Sequence, residues 1–334
     1  MSTRTNRDNG NICAIVGLIP IGFAVALRGD VGGDTANYIS IVESLVNRDY
    51  FDIFIEPVFL LYSRLLLALD FEPRIIINLL GVINLGLLYY AAQKIEKGKV
   101  ILSLIIVPIF FVDFLMNGMR IGLAVAFIML AYYQLANERL FKFAAFSLVA
   151  IMTHLSIIYI FVLMLGEMNK KIRARVIIIF TLAIGIILKT SDQVSLYLLG
   201  KSEDYLNSDA ESILGIVPFT LNILMIAMLF FISKKRKPIK KLNYTCFVLL
   251  ILSVGFYLLI PVFPWFAARF MWLNLLYLSI LVAASIARSK LTLSSIELFG
   301  LAIIGLLGFA SHIRQFFMAE GVGLSPFLPY KLFL

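Results

Sequence analysis

Long apolar runs recur along the whole chain and alternate with short polar loops. A helix that crosses a bilayer needs about 20 mostly apolar residues. The runs that meet or approach this length predict spans at 11–27, 75–92, 100–113, 119–136, 176–190, 213–232, 243–260, 270–287 and 294–311. The pattern predicts an all-α polytopic membrane protein of about 10 transmembrane helices, with a single domain over residues 1–334.

Two stretches do not fit the pattern of simple spans. Residues 56–69 are short, and residues 142–166 are long with His154 at their midpoint. Basic loops are usually cytoplasmic, so spans must come in pairs between successive basic loops. This pairing predicts two short helices in 142–166, with a turn near His154, and a re-entrant or interfacial helix at 56–69. One ordinary span at 142–166 is the alternative.

Composition supports a membrane protein and gives no support for nucleic-acid binding. Hydrophobic residues make up 61 % of the chain and charged residues 15 %, against about 25 % charged in soluble domains. The net charge of +9 is explained by basic cytoplasmic loops, of which Lys234–Lys237 is the strongest. Cys13 and Cys246 both lie in apolar runs, so no disulfide framework is predicted.

The same topology places the unusual polar residues on the outer side of the membrane. The outer segments become 28–55, 114–118, a turn near His154, 191–212, 261–269 and the tail 312–334, of which 28–55 and 191–212 are the main loops. The polar residues near that surface are Arg28, Asp30, Asp34, Arg120, His154, Tyr205, Arg269, His312, Arg314 and Tyr330. Ionisable groups within membrane helices are costly and indicate function.

Arg120 and Arg269 each open an apolar helix on the side where the charge rule does not favour a cation. Snorkelling to lipid headgroups is one interpretation. The other is an anion clamp, because a guanidinium binds phosphate oxygens through two parallel hydrogen bonds.

The first loop, Arg28-Gly-Asp-Val-Gly-Gly-Asp-Thr-Ala-Asn-Tyr38, is rich in glycine. Glycines allow tight turns and a close approach to a ligand. Asp34 could cap the following helix, but capping does not explain Arg28, Asp30 and Tyr38 beside it. Residues 36–47 are amphipathic and predict a helix at the membrane interface. Asp30 and Asp34 could hold a divalent cation, although their spacing is not diagnostic.

His154 is one of two histidines. A lone buried histidine is often a hydrogen-bonded structural residue, but a neutral imidazole at a turn could also accept a proton from a sugar hydroxyl. The run Lys201–Tyr205 is either a solvated outer loop or a substrate contact. No zinc-spaced cluster and no nucleophile elbow occur in the sequence.

The loop Arg28–Tyr38 resembles the first outer loop of EpsG-like members of the Wzy polysaccharide polymerases. The stretch from Arg120 to Thr153-His154-Leu-Ser156 is similar to the Arg-to-His block of that family. Arg269-Phe270 and the tail Pro326–Lys331 resemble further landmarks. The likeness extends in order over nearly the whole chain. The extra glycine and Val31 leave open whether Asp30 or Asp34 corresponds to the aspartate of the family.

The resemblance implies a GT-C-like membrane glycosyltransferase in the bacterial inner membrane, with its site facing outward. Its donor and acceptor would be glycans on undecaprenyl pyrophosphate, and a chain-length regulator is a possible partner. Such a reaction needs charge stabilisation of the leaving pyrophosphate, for which Arg120, Arg269 and Arg28 are the candidates. His154 is the first candidate for the base and Asp34 the second. Substrate contacts would come from Asp30, Tyr38, Tyr205, Arg314 and Tyr330. No metal or cofactor is required.

Two other functions are compatible with the sequence. An O-antigen ligase uses the same lipid donor but tends to have a larger late outer loop than 191–212. A transporter or flippase commonly shows inverted repeats and polar residues at mid-membrane, and the sequence has no such repeat.

Overall fold

The computed structural model describes residues 16–29, 31, 34–47, 56–95, 97–168, 216–235, 242–261, 263–288, 293–318 and 332–333. The helices in these ranges are α1 (Val16–Ala26), α2 (Thr35–Asn47), α3 (Pro57–Leu67), α4 (Pro73–Lys94), α5 (Gly98–Asn117), α6 (Met119–Ala136), α7 (Leu140–Thr153), α8 (Ile158–Glu167), α9 (Ile216–Lys235), α10 (Leu242–Leu259), α11 (Pro264–Arg288) and α12 (Ser295–Met318). No strand occurs in these ranges, so the all-α prediction is confirmed.

Five of these helices are long and apolar enough to cross a membrane. They are α4, α5, α6, residues 216–233 of α9 and residues 266–286 of α11, within the described ranges. Six shorter apolar helices accompany them, including α3 and α7. The polytopic architecture predicted from the apolar runs is therefore present. The predicted span 176–190 and the outer segment 191–212 lie outside the described residues.

Prolines begin three of the helices that surround the polar cluster. Pro57, Pro73 and Pro264 are the first residues of α3, α4 and α11. Proline suits this position because its fixed φ is helical and its missing N–H would have no partner in the first turn. The short helix predicted at 56–69 is α3, which begins at Pro57 and ends at Leu67, before Pro73 begins α4.

The stretch 142–166 is broken at His154, as the two-helix hypothesis predicts. His154 is extended, with φ −159° and ψ 117°, and a short 3-10 turn at Leu155–Ile157 leads into α8. The rings of Phe143 and Phe161 lie 5.9 Å apart. In one continuous helix, 18 residues would separate them by about 27 Å. The chain therefore reverses direction at His154, and the single-span alternative is wrong.

Helix α5 contains two π-helical turns, at Leu102–Ile106 and Asp113–Asn117. Pro108 has no N–H to donate to the carbonyl of Leu104, which accounts for the first widened turn. Gly305 of α12 packs there, and a Cβ atom at Gly305 would lie only 1.8 Å from that carbonyl oxygen. The second widened turn ends at Gly118, where α5 stops and α6 begins.

Three predicted boundaries differ from the structure. Helix α5 continues through 113–117, so the predicted outer loop at 114–118 is reduced to Gly118. Helix α11 begins at Pro264 rather than at 270, so Arg269 lies in its second turn and does not open it. Helix α12 extends to Met318, so His312 and Arg314 are helical rather than part of an outer tail. In each case, the helix extends beyond its apolar run.

Candidate functional site

A polar cluster lies where four chain segments meet at helix ends or breaks. Glu56 precedes α3, Arg120 lies in the first turn of α6, and His154 is the break between α7 and α8. The fourth segment is the first half of α2, which supplies Tyr38. A small apolar core supports the cluster, and its buried members are Tyr38, Val42, Phe59, Ile76, Ile77, Leu80, Met119 and Leu123.

Glu56 joins the guanidinium and the imidazole through its two carboxylate oxygens. Oε2 pairs with Nη1 of Arg120 in a salt bridge. Oε1 lies 3.1 Å from Nδ1 of His154. The Glu56 side chain is 5 % exposed, whereas those of Arg120 and His154 are 19 % and 16 % exposed. The carboxylate is thus buried behind two groups that each keep an accessible edge.

Two aromatic rings also contact the Arg120 guanidinium. The guanidinium carbon lies 5.3 Å from the ring centroid of Tyr38 and 5.7 Å from that of Phe59. Nε of Arg120 also donates to the Tyr38 hydroxyl at 3.4 Å. Cation–π contacts of this kind are strongest when the cation is partly desolvated. They restrict the rotamers of Arg120 and so fix its position in the cluster.

The break between α5 and α6 positions Arg120. Asn84 of α4 donates to the carbonyls of Phe114 and Met119, at 3.1 and 2.7 Å. Gly122 brings the first turn of α6 against α5, because a Cβ atom there would lie 2.1 Å from the Phe114 carbonyl oxygen. Only glycine permits this approach without a backbone shift. These contacts hold the start of α6 at a fixed place beside Glu56.

Arg28 is fully buried, with 0 % exposure, and its guanidinium bonds to the backbone of the same break. Nη1 donates to the carbonyl of Met116, and Nη2 lies 3.5 Å from the sulfur of Met119. Backbone atoms of Arg28 pair with Leu332 in an antiparallel bridge. In this conformation Arg28 presents no surface to a substrate, unlike Arg120.

Asp34 lies at the start of α2, where its carbonyl accepts the amide of Tyr38 at 2.9 Å. Its own amide donates to Oδ1 of Asn117 at 3.0 Å, which ties the first loop to the end of α5. Burial of the ring raises the pKa of Tyr38, the Arg120 charge opposes this shift, and the Asp34 charge adds to it.

Arg269 lies on the second turn of α11 and is partly exposed. The ring of its neighbour Phe270 meets that of Tyr159 at 5.1 Å, and Tyr159 follows His154 by about one helical turn. The Arg269 charge also reaches His154, whose pKa it lowers. The structure thus brings Arg269 to the same end of the molecule as Arg120 and His154.

Burial and neighbouring charges both shift the pKa values of Glu56 and His154, which lie outside the five candidate spans. Burial alone would raise the pKa of Glu56, but the His154 hydrogen bond and the Arg120 charge lower it to about 2. Burial lowers the pKa of His154 from 6.5, and the charges of Arg269 and Arg120 add to this effect against the Glu56 contribution. At neutral pH the cluster therefore holds a carboxylate and an uncharged imidazole.

Several other predicted site residues are not placed with the cluster. Asp30, Tyr205 and Tyr330 lie outside the described residues. Arg314 is on the last part of α12, of which only the backbone is described. Within the described ranges, no three His, Cys, Asp or Glu side chains lie together as a group that could hold a metal ion.

Sequence reasoning missed Glu56, the residue that joins the cluster. The available signal was an acidic residue between Ile55 and Pro57, inside an otherwise apolar stretch. An ionisable side chain in such a stretch needs a partner. Its partners are 64 and 98 residues further along the chain, so the sequence alone gave no indication of which groups it meets.

The fold and the cluster define a class: a polytopic helical membrane protein with an Arg–Glu–His constellation formed at helix breaks. The model of the EpsG family matches residues 11–332. The chain therefore belongs to the EpsG family, a branch of the polysaccharide polymerases. No curated protein and no solved structure matches the chain. Family membership places it among membrane proteins of the polysaccharide-polymerase type, with a glycosyltransferase-like role.

Proposed function

We propose that this protein polymerises oligosaccharide repeat units carried on undecaprenyl pyrophosphate, on the outer face of the bacterial cytoplasmic membrane. The observation that carries the proposal is the pair of groups held by Glu56. One is a guanidinium suited to a leaving pyrophosphate, and the other is an uncharged imidazole suited to an attacking hydroxyl. Membership of the EpsG family supports the same reaction class.

In the proposed reaction, a hydroxyl of the acceptor repeat unit attacks the anomeric carbon of the donor glycan. His154 takes the hydroxyl proton as the new C–O glycosidic bond forms. The bond between the anomeric carbon and the phosphate oxygen breaks, and its electron pair leaves with undecaprenyl pyrophosphate. The leaving group is already anionic, so electrostatic stabilisation contributes more than protonation.

Arg120 and Arg269 stabilise the departing pyrophosphate in this scheme. Arg120 retains an exposed edge beyond its contacts with Glu56 and Tyr38, and Arg269 is partly exposed at the same end. Asp34 remains the second candidate for the base. Asp30, Tyr205, Arg314 and Tyr330 are proposed substrate contacts, and a chain-length regulator is a proposed partner in the membrane. The scheme involves no metal.

The test is glycan analysis in a host that makes the cognate lipid-linked repeat unit. The gene is deleted and then restored as wild type, Arg120→Ala, Arg269→Ala or His154→Ala. We expect deletion to leave single repeat units on the outer face, and the three variants to fail to extend them at normal expression.

Other outcomes would contradict the proposal in distinct ways. Units trapped inside the cell after deletion would indicate a flippase. Normal polymer that is not attached to its final acceptor would indicate a ligase. Normal polymer with His154→Ala would exclude His154 as the base and make Asp34 the next residue to test.

A further inference from the structure

We propose that Glu56 is a positioning residue for this site. It orients His154 so that Nε2 points toward the acceptor hydroxyl, and it holds Arg120 at a fixed place beside His154. This inference deepens the proposed function and rests on it for its kinetic consequences. The hydrogen bonding and tautomer of His154 can be measured without any reaction.

The backbone at Glu56 directs its side chain into the cluster. A residue before proline is restricted to extended conformations, and Glu56 has φ −58° and ψ 135°. Pro57 then starts α3, which packs against α7, the helix that ends at His154. The carboxylate therefore enters the cluster from a rigid helix start. Its side chain is 5 % exposed, so it has little freedom to turn toward solvent.

The chemistry of a carboxylate determines the tautomer of the imidazole. An ionised carboxylate only accepts hydrogen bonds, so Nδ1 of His154 must donate its N–H to Oε1 of Glu56 at 3.1 Å. In the neutral ring, Nε2 then carries the lone pair. In the part of the chain that the structure describes, Nε2 makes no hydrogen bond, and the side chain is 16 % exposed. Nε2 is thus the basic atom that a substrate hydroxyl can reach.

The two carboxylate oxygens of Glu56 also link His154, the proposed base, to Arg120, the proposed pyrophosphate ligand. Oε2 pairs with Arg120 while Oε1 pairs with His154. Among the described residues, the charged groups that act on the His154 ring are Glu56 from the segment before α3, Arg120 from α6 and Arg269 from α11. Glu56 is the only anion among these three, so it offsets the two cations that disfavour a protonated ring. Removing its charge should make His154 harder to protonate.

The chain supplies a matched control for Glu56. Glu72 also precedes a proline that starts a helix, and its backbone is similar, with φ −64° and ψ 145°. The two glutamates differ in surroundings, because Glu72 is exposed whereas Glu56 is buried against Arg120 and His154. Glu72→Gln therefore changes the same local sequence feature without touching the cluster.

The kinetic test uses the full-length protein in lipid nanodiscs with a synthetic lipid-linked repeat unit. Initial rates of polymer formation are measured across pH for wild type, Glu56→Gln, Glu56→Asp and Glu72→Gln. We expect Glu56→Gln to lower kcat about 10²-fold, the low end of the contribution of a positioned base, with KM within about threefold. Glu56→Asp should retain more activity, and Glu72→Gln should match wild type.

The pH profile separates positioning from a merely structural role. Activity requires uncharged His154, so it falls as pH drops through the pKa of that residue, which lies below 6.5 in the wild type. Loss of the Glu56 charge lowers this pKa further, so the acid limb of Glu56→Gln should move to lower pH. An acid limb that stays in place or moves up, or a kcat equal to wild type, would overturn the inference.

A spectroscopic test does not depend on turnover. The chain has two histidines, so ¹⁵N-histidine labelling with His312→Gln leaves the signals of His154 alone. We expect a protonated Nδ1 and an unprotonated Nε2 at neutral pH in the wild type, and loss of this preference in Glu56→Gln. The opposite tautomer in the wild type would overturn the inference even if polymerisation is confirmed. The expected tautomer in a protein that forms no polymer would overturn only the proposed function.

Discussion

Arg28 and Arg120 show two different uses of arginine at the same end of the molecule. Both have the sequence context of a pyrophosphate ligand, since each lies beside an apolar helix on the side predicted to face outward. In the structure, Arg28 is fully buried and donates to the Met116 carbonyl, whereas Arg120 keeps a 19 % exposed side chain and pairs with Glu56. One arginine stabilises the break between α5 and α6, and the other projects from that break.

The difference arises from what each guanidinium meets first. Helix ends leave backbone carbonyls without intrahelical partners, and a buried arginine can satisfy them with its several N–H donors. Arg28 meets such a carbonyl. Arg120 meets a carboxylate and two aromatic rings, which fix it while leaving an edge open. Loss of Arg28 should therefore affect stability first, and loss of Arg120 should affect catalysis first.

The largest expected effect belongs to Arg120. Arg120→Ala should lower kcat/KM about 10³-fold, because in the proposed reaction it removes charge stabilisation from the leaving pyrophosphate. Arg120→Lys keeps a cation for buried Glu56 but lacks the planar fork, so we expect about a 10²-fold loss with a fold that survives. Rates are measured on purified protein with the synthetic lipid-linked repeat unit.

Arg139→Ala serves as the control for Arg120, since Arg139 is exposed beyond the other end of α6. Its rate should stay within about twofold of wild type. Retention of more than a tenth of the wild-type kcat/KM by Arg120→Lys would contradict the clamp assignment, as would an equal loss in Arg139→Ala.

The next effect concerns Arg28 and stability. Arg28→Ala leaves the buried Met116 carbonyl without its charged donor, which costs about 2 to 3 kcal/mol. We expect a lower midpoint of thermal unfolding in detergent. The molecules that remain folded should retain kcat/KM within about threefold. Normal stability combined with lost activity would indicate that Arg28 binds substrate, and it would contradict the assignment of a structural role to Arg28 and a catalytic role to Arg120.

The smallest expected effect belongs to Tyr38. Tyr38→Phe removes the hydroxyl that accepts from Nε of Arg120 but keeps the ring beside the guanidinium. A hydrogen bond of this kind contributes about 0.5 to 1.5 kcal/mol, so kcat/KM should fall roughly two- to tenfold. Tyr62→Phe is the matched control, because its hydroxyl donates to the Ile76 carbonyl at 2.7 Å. That variant should change unfolding alone, and a kcat/KM loss equal to that of Tyr38→Phe would contradict the prediction.

Local pattern predicts the helices well where apolar length and proline act together. The span 119–136 coincides with α6, and the short stretch 56–69 forms α3, which begins at Pro57. Prediction from local sequence fails at helix ends whose position depends on contacts with neighbouring helices. The extension of α5 to Asn117 depends on Asn84 donating to two carbonyls, and that contact spans 30 residues or more.

The candidate site was only partly accessible from sequence. Arg120, His154 and Arg269 stand out because charge is rare in apolar helices, and the structure brings them to one end of the molecule. Tyr38 was also singled out, through its place in the first loop. Glu56 was missed because its role depends on partners from α6 and from the break between α7 and α8. Arg28 was noticed for its charge, but its burial follows from the packing of α5 and α6.

The sequence by itself determined that this is a helical membrane protein with a few ionisable groups, because apolar length and charge position act locally along the chain. It also indicated the break at His154, through the pairing of spans between basic loops. Only the tertiary structure decided that Glu56 joins Arg120 to His154 while Arg28 is enclosed. Those contacts join residues 64 to 98 positions apart, and helix packing alone brings them within hydrogen-bond distance.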